Sequence, residues 1–413
     1  MNDGSYQGVE RNGLAVERRE GYRPSRWMRL LLGLAPRIRV GQATIVLPDG
    51  SMHRFRGREP GPEGMLVVHD DRLARRLLTG GTLGFCEAYL DGEWSSPDVP
   101  ALFELALRNE EALDRLLDGK RWFRALSHLV HALRPNTRRG SRRNIAYHYD
   151  LGNEFYRLWL DPSMTYSSAL YAAADEPLEA AQRRKYAELA RRMGLEAGHH
   201  VLEIGCGWGG FADYAAGEVG ARVTALTISR EQHAYATARV ARAGLSDRVE
   251  VRLQDYRDVQ GRFDRIASIE MFEAVGERYW PAFFGTVRDR LAPGGRAAMQ
   301  IITIQDRFFD TYRRGADYIQ KYIFPGGMLP SPTVLRREVE RAGLRWQGAD
   351  GFGPDYARTL AEWQLRFQAA WPEIQAMGFD DRFKRMWELY LWYCGAGFST
   401  GCIDVVQVTM ARD

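Results

Sequence analysis

From His200 onward the chain alternates short, branched, apolar runs with helix-patterned ones. HHVLEIG, ARVTALTI, VEVRLQD, FDRIASIEM and RAAMQIITI read as strands. Between them, REQHAYATARVARAG and YWPAFFGTVRDRLAP read as helices, the second closed by Gly294 and Gly295. Strand and helix in alternation build a parallel sheet with helices on both faces, and ligands of such sheets gather at the carboxyl ends of the strands. Glu273, in SIEMFEAVGERYW, falls at that edge, with no histidine or cysteine beside it to make a metal site.

The first such edge is VLEIGCGWGGFADYAAG, where a strand ends at Glu203 and a glycine-rich turn opens a helix. Gly205, Gly207 and Gly210 satisfy G-x-G-x-x-G, a pattern that lets the backbone approach a nucleotide closely. A dinucleotide-dependent oxidoreductase is the first reading of this loop. It requires an acidic residue at the ribose roughly 20 residues onward, but the second strand ends in Thr227-Ile228-Ser229. It also expects the loop to open its domain, whereas Ser141 to His200 precede it. S-adenosylmethionine fits better. Glu203 would lie near its ammonium, the glycines under its methionine part, Thr227 and Gln232 at the ribose, and Asp255 with Tyr256 at the adenine. The expected fold is therefore α/β, a Rossmann-like methyltransferase domain.

Upstream, ATIVLPDGSMHRFRG alternates about a Pro-Asp-Gly turn and reads as a hairpin. DDRLARRLLTGG reads as a short amphipathic helix, and two more helices are expected between Pro100 and Leu133. A polar stretch with five arginines, Arg134 to Asn144, separates this small α+β domain from the rest, which gives domains of 1–140 and 141–413. A chain of 413 residues, 45% hydrophobic, has room for both. Cys86, Cys206, Cys394 and Cys402 show no CxxC spacing, which argues against structural zinc and for a reducing compartment, the cytoplasm by default. The first residues lack an apolar signal core, and no apolar run approaches the ~20 residues of a membrane span, so any membrane contact is expected to be peripheral. PSRWMRLLLGLAPRIR, Pro24 to Arg39, mixes Trp, Leu and Arg as an interfacial helix does, and Arg138, Arg139, Arg142 and Arg143 would add attraction to anionic headgroups.

Eight blocks carry a resemblance that spans almost the whole chain. They are AYLDGEW, HYDLGNEFYRLWLDPSMTYSSALY, VLEIGCGWGG, LTISREQ, LQDYRD, MFEAVG, KYIFPGGMLPS and the tail from FQAAWPEI through YCGAGF. In that order they resemble the cyclopropane-fatty-acyl-phospholipid synthase family, which includes the mycolic-acid cyclopropane synthases and methyltransferases. The resemblance implies methylene transfer from S-adenosylmethionine to a cis double bond in a phospholipid acyl chain, giving a cyclopropane. It also implies an amino-terminal domain that engages lipid at the inner face of a membrane, and a possible homodimer. A nucleic-acid methyltransferase would explain the basic clusters but not these blocks, so no nucleic-acid partner is expected.

Methyl transfer to an alkene leaves a carbocation that must lose a proton. In the family the base is thought to be a bound bicarbonate, held by a polar cluster below the acyl pocket. By position the resemblance makes that cluster Ser168 (usually cysteine), Glu273, Gln300 (usually histidine), the backbone of Ile302, and Tyr356. Tyr166 and Ser167 match positions at the cofactor's methionine end. Glutamine carries neither a positive charge nor a titrating proton, and Ala274 removes a second common imidazole, so bicarbonate is expected to bind less well. Methyl transfer without ring closure, to a methylene- or methyl-branched chain, is the alternative; a catalytically silent lipid-binding relative is another. Cys394 matches a cysteine said to be catalytic, yet alkene methylation needs no thiol, and packing explains it equally. His148 and Tyr149 may be read as functional or structural. Phe308, Phe309, Tyr312, Tyr318 and Tyr322 would form either a helix core or the wall of an acyl tunnel.

Overall fold

The computed structural model describes residues 19, 21–110, 151–315 and 317–413. The chain divides into two compact units, Met1–Phe123 and Arg124–Asp413. The expected break at Arg134–Asn144 lies outside the described residues, as do Arg138, Arg139, Arg142, Arg143, His148 and Tyr149.

The first unit is built on a four-stranded sheet in the order β2-β1-β3-β4, from β1 (Val40–Val46), β2 (Met52–Arg56), β3 (Glu59–Val68) and β4 (Trp94–Ser95). β1 and β2 form the expected hairpin, with Val46 opposite Met52 and Asp49 accepting from the Ser51 amide at 2.9 Å. β3 was concealed in the sequence by Pro60 and Pro62. These fall at a register shift, since Val40 pairs with Glu59 but Gln42 with Glu63, and the bulge removes the need for their missing amide hydrogens. The expected short helix is longer, Arg72–Leu90, and continues through a break at Gly81, which takes φ 58 and ψ −147. The helix Val99–Arg108 begins with Asp98 accepting from the Ala101 amide at 2.9 Å and Pro100 in its first turn. Trp94 stacks on Phe85 at 4.3 Å and is fully buried, which centres this core.

The second unit holds a seven-stranded sheet in the order β10-β11-β9-β8-β5-β6-β7. Its strands are β5 (His200–Ile204), β6 (Arg222–Thr227), β7 (Val249–Leu253), β8 (Phe263–Ile269), β9 (Leu291–Ile304), β10 (Arg345–Gly351) and β11 (Ile403–Ala411). All five strands read from the sequence form here and run parallel, while β11 and β10 add an antiparallel extension beyond β9. The chain winds from β5 outward through β6 and β7, then returns to β8 on the other side of β5. That reversal opens a crevice at the carboxyl ends of β5 and β8, where α/β sheets bind ligands. One core, with Phe283, Phe284 and Met299, and another, with Leu189, Met193 and Phe211, bury the sheet.

In the first unit, Asn109 clips the end of helix Val99–Arg108 to β1. Its Oδ1 accepts from the Arg39 and Val40 amides at 2.7 and 3.0 Å, and its Nδ2 donates to Val40 and Leu105 carbonyls at 2.9 and 2.8 Å. Asn109→Ala strands buried backbone groups and is expected to cost about 2–3 kcal/mol. Urea unfolding, with a probe on Trp94, should show the loss.

Candidate active site

The glycine loop after β5 explains its own sequence. Gly205 has φ +85 and Gly207 φ +52, a region that side-chain-bearing residues rarely adopt. A Cβ on Gly205 would also stand 2.5 Å from Met271, and one on Gly210 would collide with the Tyr186 hydroxyl. The loop is thus packed directly beneath the segment that follows β8, which joins the two halves of the site.

Around this loop lie the residues expected at a cofactor. Glu203 is buried, its Oε2 has no hydrogen-bond partner, and burial lifts its carboxyl to about 8 despite Arg239 and Lys185. A cationic ammonium or sulfonium beside it would satisfy that oxygen. Thr227 donates to Gln232 Oε1 at 2.9 Å, so the two expected ribose ligands are side by side. Asp255 is buried and already takes the Arg257 guanidinium at 2.8 and 2.6 Å. Tyr256 packs edge-on against Phe283, ring centroids 5.3 Å apart. The Tyr166 hydroxyl meets that of Tyr390 at 2.8 Å, and its ring lies 5.3 to 5.5 Å from those of Trp363, Trp159 and Tyr156. Ser167 accepts from Lys185 Nζ at 2.6 Å.

The polar cluster is organised by a residue that sequence reasoning passed over. Glu270, three positions before Glu273, takes φ +48 at the end of β8 and is half-buried, and burial raises its carboxyl. Its Oε1 accepts from the Ser168 amide at 2.8 Å and from Gln300 Nε2 at 2.7 Å, and its Oε2 accepts from the Tyr356 hydroxyl at 2.6 Å. The Ser168 hydroxyl turns away to the Ala169 carbonyl at 2.9 Å. Gln300 is fully buried on β9, and its Oε1 accepts from Gln407 on β11 at 3.1 Å. Gln300, Gln407 and Ile269 are register partners across three strands, so the sheet itself fixes this amide.

Glu273 makes a different contact. Its Oε1 accepts from the Ile302 amide at 2.6 Å, while Oε2 has no partner. Burial, with Glu270 adding its negative charge, raises it to about 8. Lys185 lies near Glu270, completely buried, and desolvation lowers it to about 7 against the pull of Glu270, Asp161 and Glu203. Its helix, Leu178–Met193, is so rich in charge that nothing in the sequence distinguishes Lys185 from its solvated neighbours. Glu270 carried a signal only in being a second carboxylate within SIEMFEAVG.

Cys394 is half-buried; burial and Asp317 push its thiol up, so it stays protonated. The aromatic set divides. Phe308, Phe309 and Tyr312 pack on the sheet's core, whereas Tyr318 donates to the Met386 carbonyl at 2.7 Å and its ring meets those of Tyr322 and Tyr393. Among the described residues no group of acidic, histidine and cysteine side chains could hold a metal ion.

The raised carboxyl of Glu273 has a consequence for stability. Between about 4.5 and 8 the folded protein retains a proton there that the unfolded chain has released, so this contribution weakens as pH rises through that window. Glu273→Gln keeps an acceptor for Ile302 and removes the titration. Relative to the unmodified protein its stability should improve by about 3 kcal/mol between pH 5 and pH 8, a trend that denaturant melts across that range would reveal.

A family model described as mycolic acid cyclopropane synthetase matches residues 136–408. The tuberculostearic acid methyltransferase UfaA1 of Mycobacterium tuberculosis is 42% identical over 365 residues, covering 86% of this chain and 84% of its own. The cyclopropane-fatty-acyl-phospholipid synthase of Escherichia coli K12 is 37% identical over 379 residues, covering 89% and 95%. Among solved structures, the mycolic acid cyclopropane synthase CmaA1, complexed with SAH and CTAB, is 31% identical with a TM-score of 0.62, over 66% of this chain and 98% of that one. With this sheet, this glycine loop and these relatives, the chain belongs to the mycolic acid cyclopropane synthetase family of S-adenosylmethionine-dependent lipid methyltransferases.

Proposed function

We propose that this protein methylates the cis double bond of an unsaturated acyl chain carried by a phospholipid, through a carbocation that loses a proton in the buried carboxylate cluster. The observation that carries the reading is the placement of the Glu270 carboxylate, hydrogen-bonded by Tyr356 and next to Glu273, beside the glycine loop, so that a proton acceptor adjoins a methyl-donor site. Bound S-adenosylmethionine supplies an electrophilic sulfonium methyl. Glu203, Gly205, Gly207, Gly210, Tyr166 and Ser167 would hold its methionine end, with Thr227, Gln232, Asp255 and Tyr256 at the nucleoside. The rings of Tyr156, Trp159, Tyr166 and Trp363 pack on one another at 5.3 to 5.8 Å, an aromatic cluster of the kind that favours positive charge.

Two exits from the cation are open. Loss of a proton from the transferred carbon with direct bond formation closes a cyclopropane; a hydride shift first gives a methylene branch. We favour the branched product. A base fixed by three hydrogen bonds cannot follow the cation as a mobile ion would, which leaves time for the shift. The 42% relative, named for tuberculostearic acid methylation, supports the same choice. A silent relative is disfavoured by the glycine loop together with Glu270, Glu273 and Tyr356.

The first unit supplies the membrane face. Helix Arg26–Leu34 buries Met28 but leaves Leu30 47% exposed, and Arg26, Arg29, Arg37, Arg39, Arg54, Arg56 and Arg58 are exposed without an ion-pair partner among the described residues. No helix among the described residues is long and apolar enough to cross a membrane. Docking on an anionic surface follows from that charge, and vesicle flotation should show binding that rises with anionic lipid and falls with salt.

The reaction is tested with monounsaturated phospholipid and S-adenosylmethionine bearing a deuterated methyl. Mass spectrometry should find label in the released acyl chains, and proton NMR should show vinylidene rather than upfield ring signals. Ring signals would restore the cyclopropane; absence of label from every lipid would sink the reading.

A further inference from the structure

The anion cradle expected for a bound bicarbonate is present, but it is already filled. Of the five groups assigned to it, Ser168, Gln300 and Tyr356 donate to the carboxylate of Glu270, at 2.8, 2.7 and 2.6 Å. The Ile302 amide donates to Glu273 instead, at 2.6 Å, and Glu273 itself adds a second carboxyl. Gln300 has no donor to spare, since its Nε2 also donates to the Ser168 carbonyl at 3.2 Å. A separate bicarbonate would therefore need donors that are taken, and it would bring negative charge against two glutamates in a closed site. These residues do not fit the ion.

We propose that Glu270 replaces bicarbonate as the resident base, so that the chain carries within its own sequence the anion its relatives would borrow from solution. The inference rests on the methylation reading above and specifies its proton acceptor. The alkene π pair forms the new C–C bond as the methyl–sulfur bond breaks, and the neighbouring carbon becomes cationic. After the hydride shift, a C–H pair of the transferred carbon becomes the C=C bond, and its proton passes to the Glu270 carboxylate. Glu270 has the geometry for a graft of this kind. Its φ of +48 is unusual for a residue with a side chain, and it turns the carboxylate back into a cradle shaped for a planar, two-oxygen anion. Lys185, buried behind it, offsets its charge.

The strained backbone also supplies the test. Glycine accepts φ +48 freely, so Glu270→Gly should keep the fold while leaving a hole of carboxylate shape lined by the Ser168, Gln300 and Tyr356 donors. The unmodified protein, assayed for labelled lipid in buffer stripped of carbon dioxide, should lose no more than about half its rate. Glu270→Gly should fall by about 100-fold or more and recover at least ~10-fold when bicarbonate or formate is added. Glu270→Gln, which fills the hole with a neutral group, should lose a similar factor and show no recovery.

Bicarbonate dependence in the unmodified protein would overturn the proposal while leaving lipid methylation intact. So would near-normal activity in Glu270→Gln, which decides the matter if the glycine variant fails to fold. A glycine variant that folds, binds S-adenosylmethionine and is not rescued would reduce Glu270 to a structural role. Absence of label from the unmodified protein in either buffer would instead remove the methylation reading itself, and Glu270 as its base with it.

Discussion

The site turns on one carboxylate that gathers three elements distant in sequence. Glu270 draws the Ser168 amide from the segment before the sheet, Gln300 from β9 and Tyr356 from the helix Gly353–Ala369. Each bond is to a charged acceptor in a closed site, where a charge-assisted hydrogen bond is stronger than in water and its loss is costly. The relation runs both ways. The donors make a buried charge tolerable, and the charge fixes the donors that shape the pocket floor. Gln300 in turn is held by Gln407, so the antiparallel strand β11, which takes no part in the parallel core, sets the position of a group at the reacting end.

The glycine loop and the carboxylate segment form one mechanical unit. Met271 fills the space above Gly205 that a Cβ would occupy. Any side chain there would push on the residues between Glu270 and Glu273, so the first glycine serves the carboxylates as much as a nucleotide. This coupling also explains why the motif and SIEMFEAVG travel together. They are the carboxyl ends of β5 and β8, adjacent in the sheet at its topological switch.

Much of the fold was legible because its signals are local. Five strands of branched apolar residues and the Pro-Asp-Gly hairpin announce themselves over a few positions each. β3 was hidden because its prolines are tolerated only at a bulge, which is visible only once β1 is beside it. The helix Arg72–Leu90 was read too short because a glycine pair looks like a stop, although here the chain bends and continues. In the site, Glu203, Thr227 and Gln232 are singled out by the glycine motif and the strand ends, and Tyr356 by resemblance. Lys185 and Gln407 were not, since a buried lysine and a buried glutamine have no local pattern; Lys185 bonds Ser167 and lies near Glu270, and the partner of Gln407 lies 107 residues away. Glu270 was passed over for Glu273 because periodicity places both at one strand end and cannot say which of two carboxylates collects the donors.

Charge explains why so costly a cluster is retained. Glu203 is buried and Glu270 and Glu273 are half-buried near the buried Lys185, and loss of hydration raises all three carboxyls, Glu203 and Glu273 to about 8. Such a site is well matched to a cation. Methylation of an alkene moves a positive charge from sulfur to carbon rather than creating one, and carboxylates fixed at both ends favour that charge along its path. The incomplete satisfaction of Glu203 and Glu273 is then a cost to folding that is offset only when a cation is present. Glu270, with three donors on its carboxylate, is the member placed to take the proton that the cation releases.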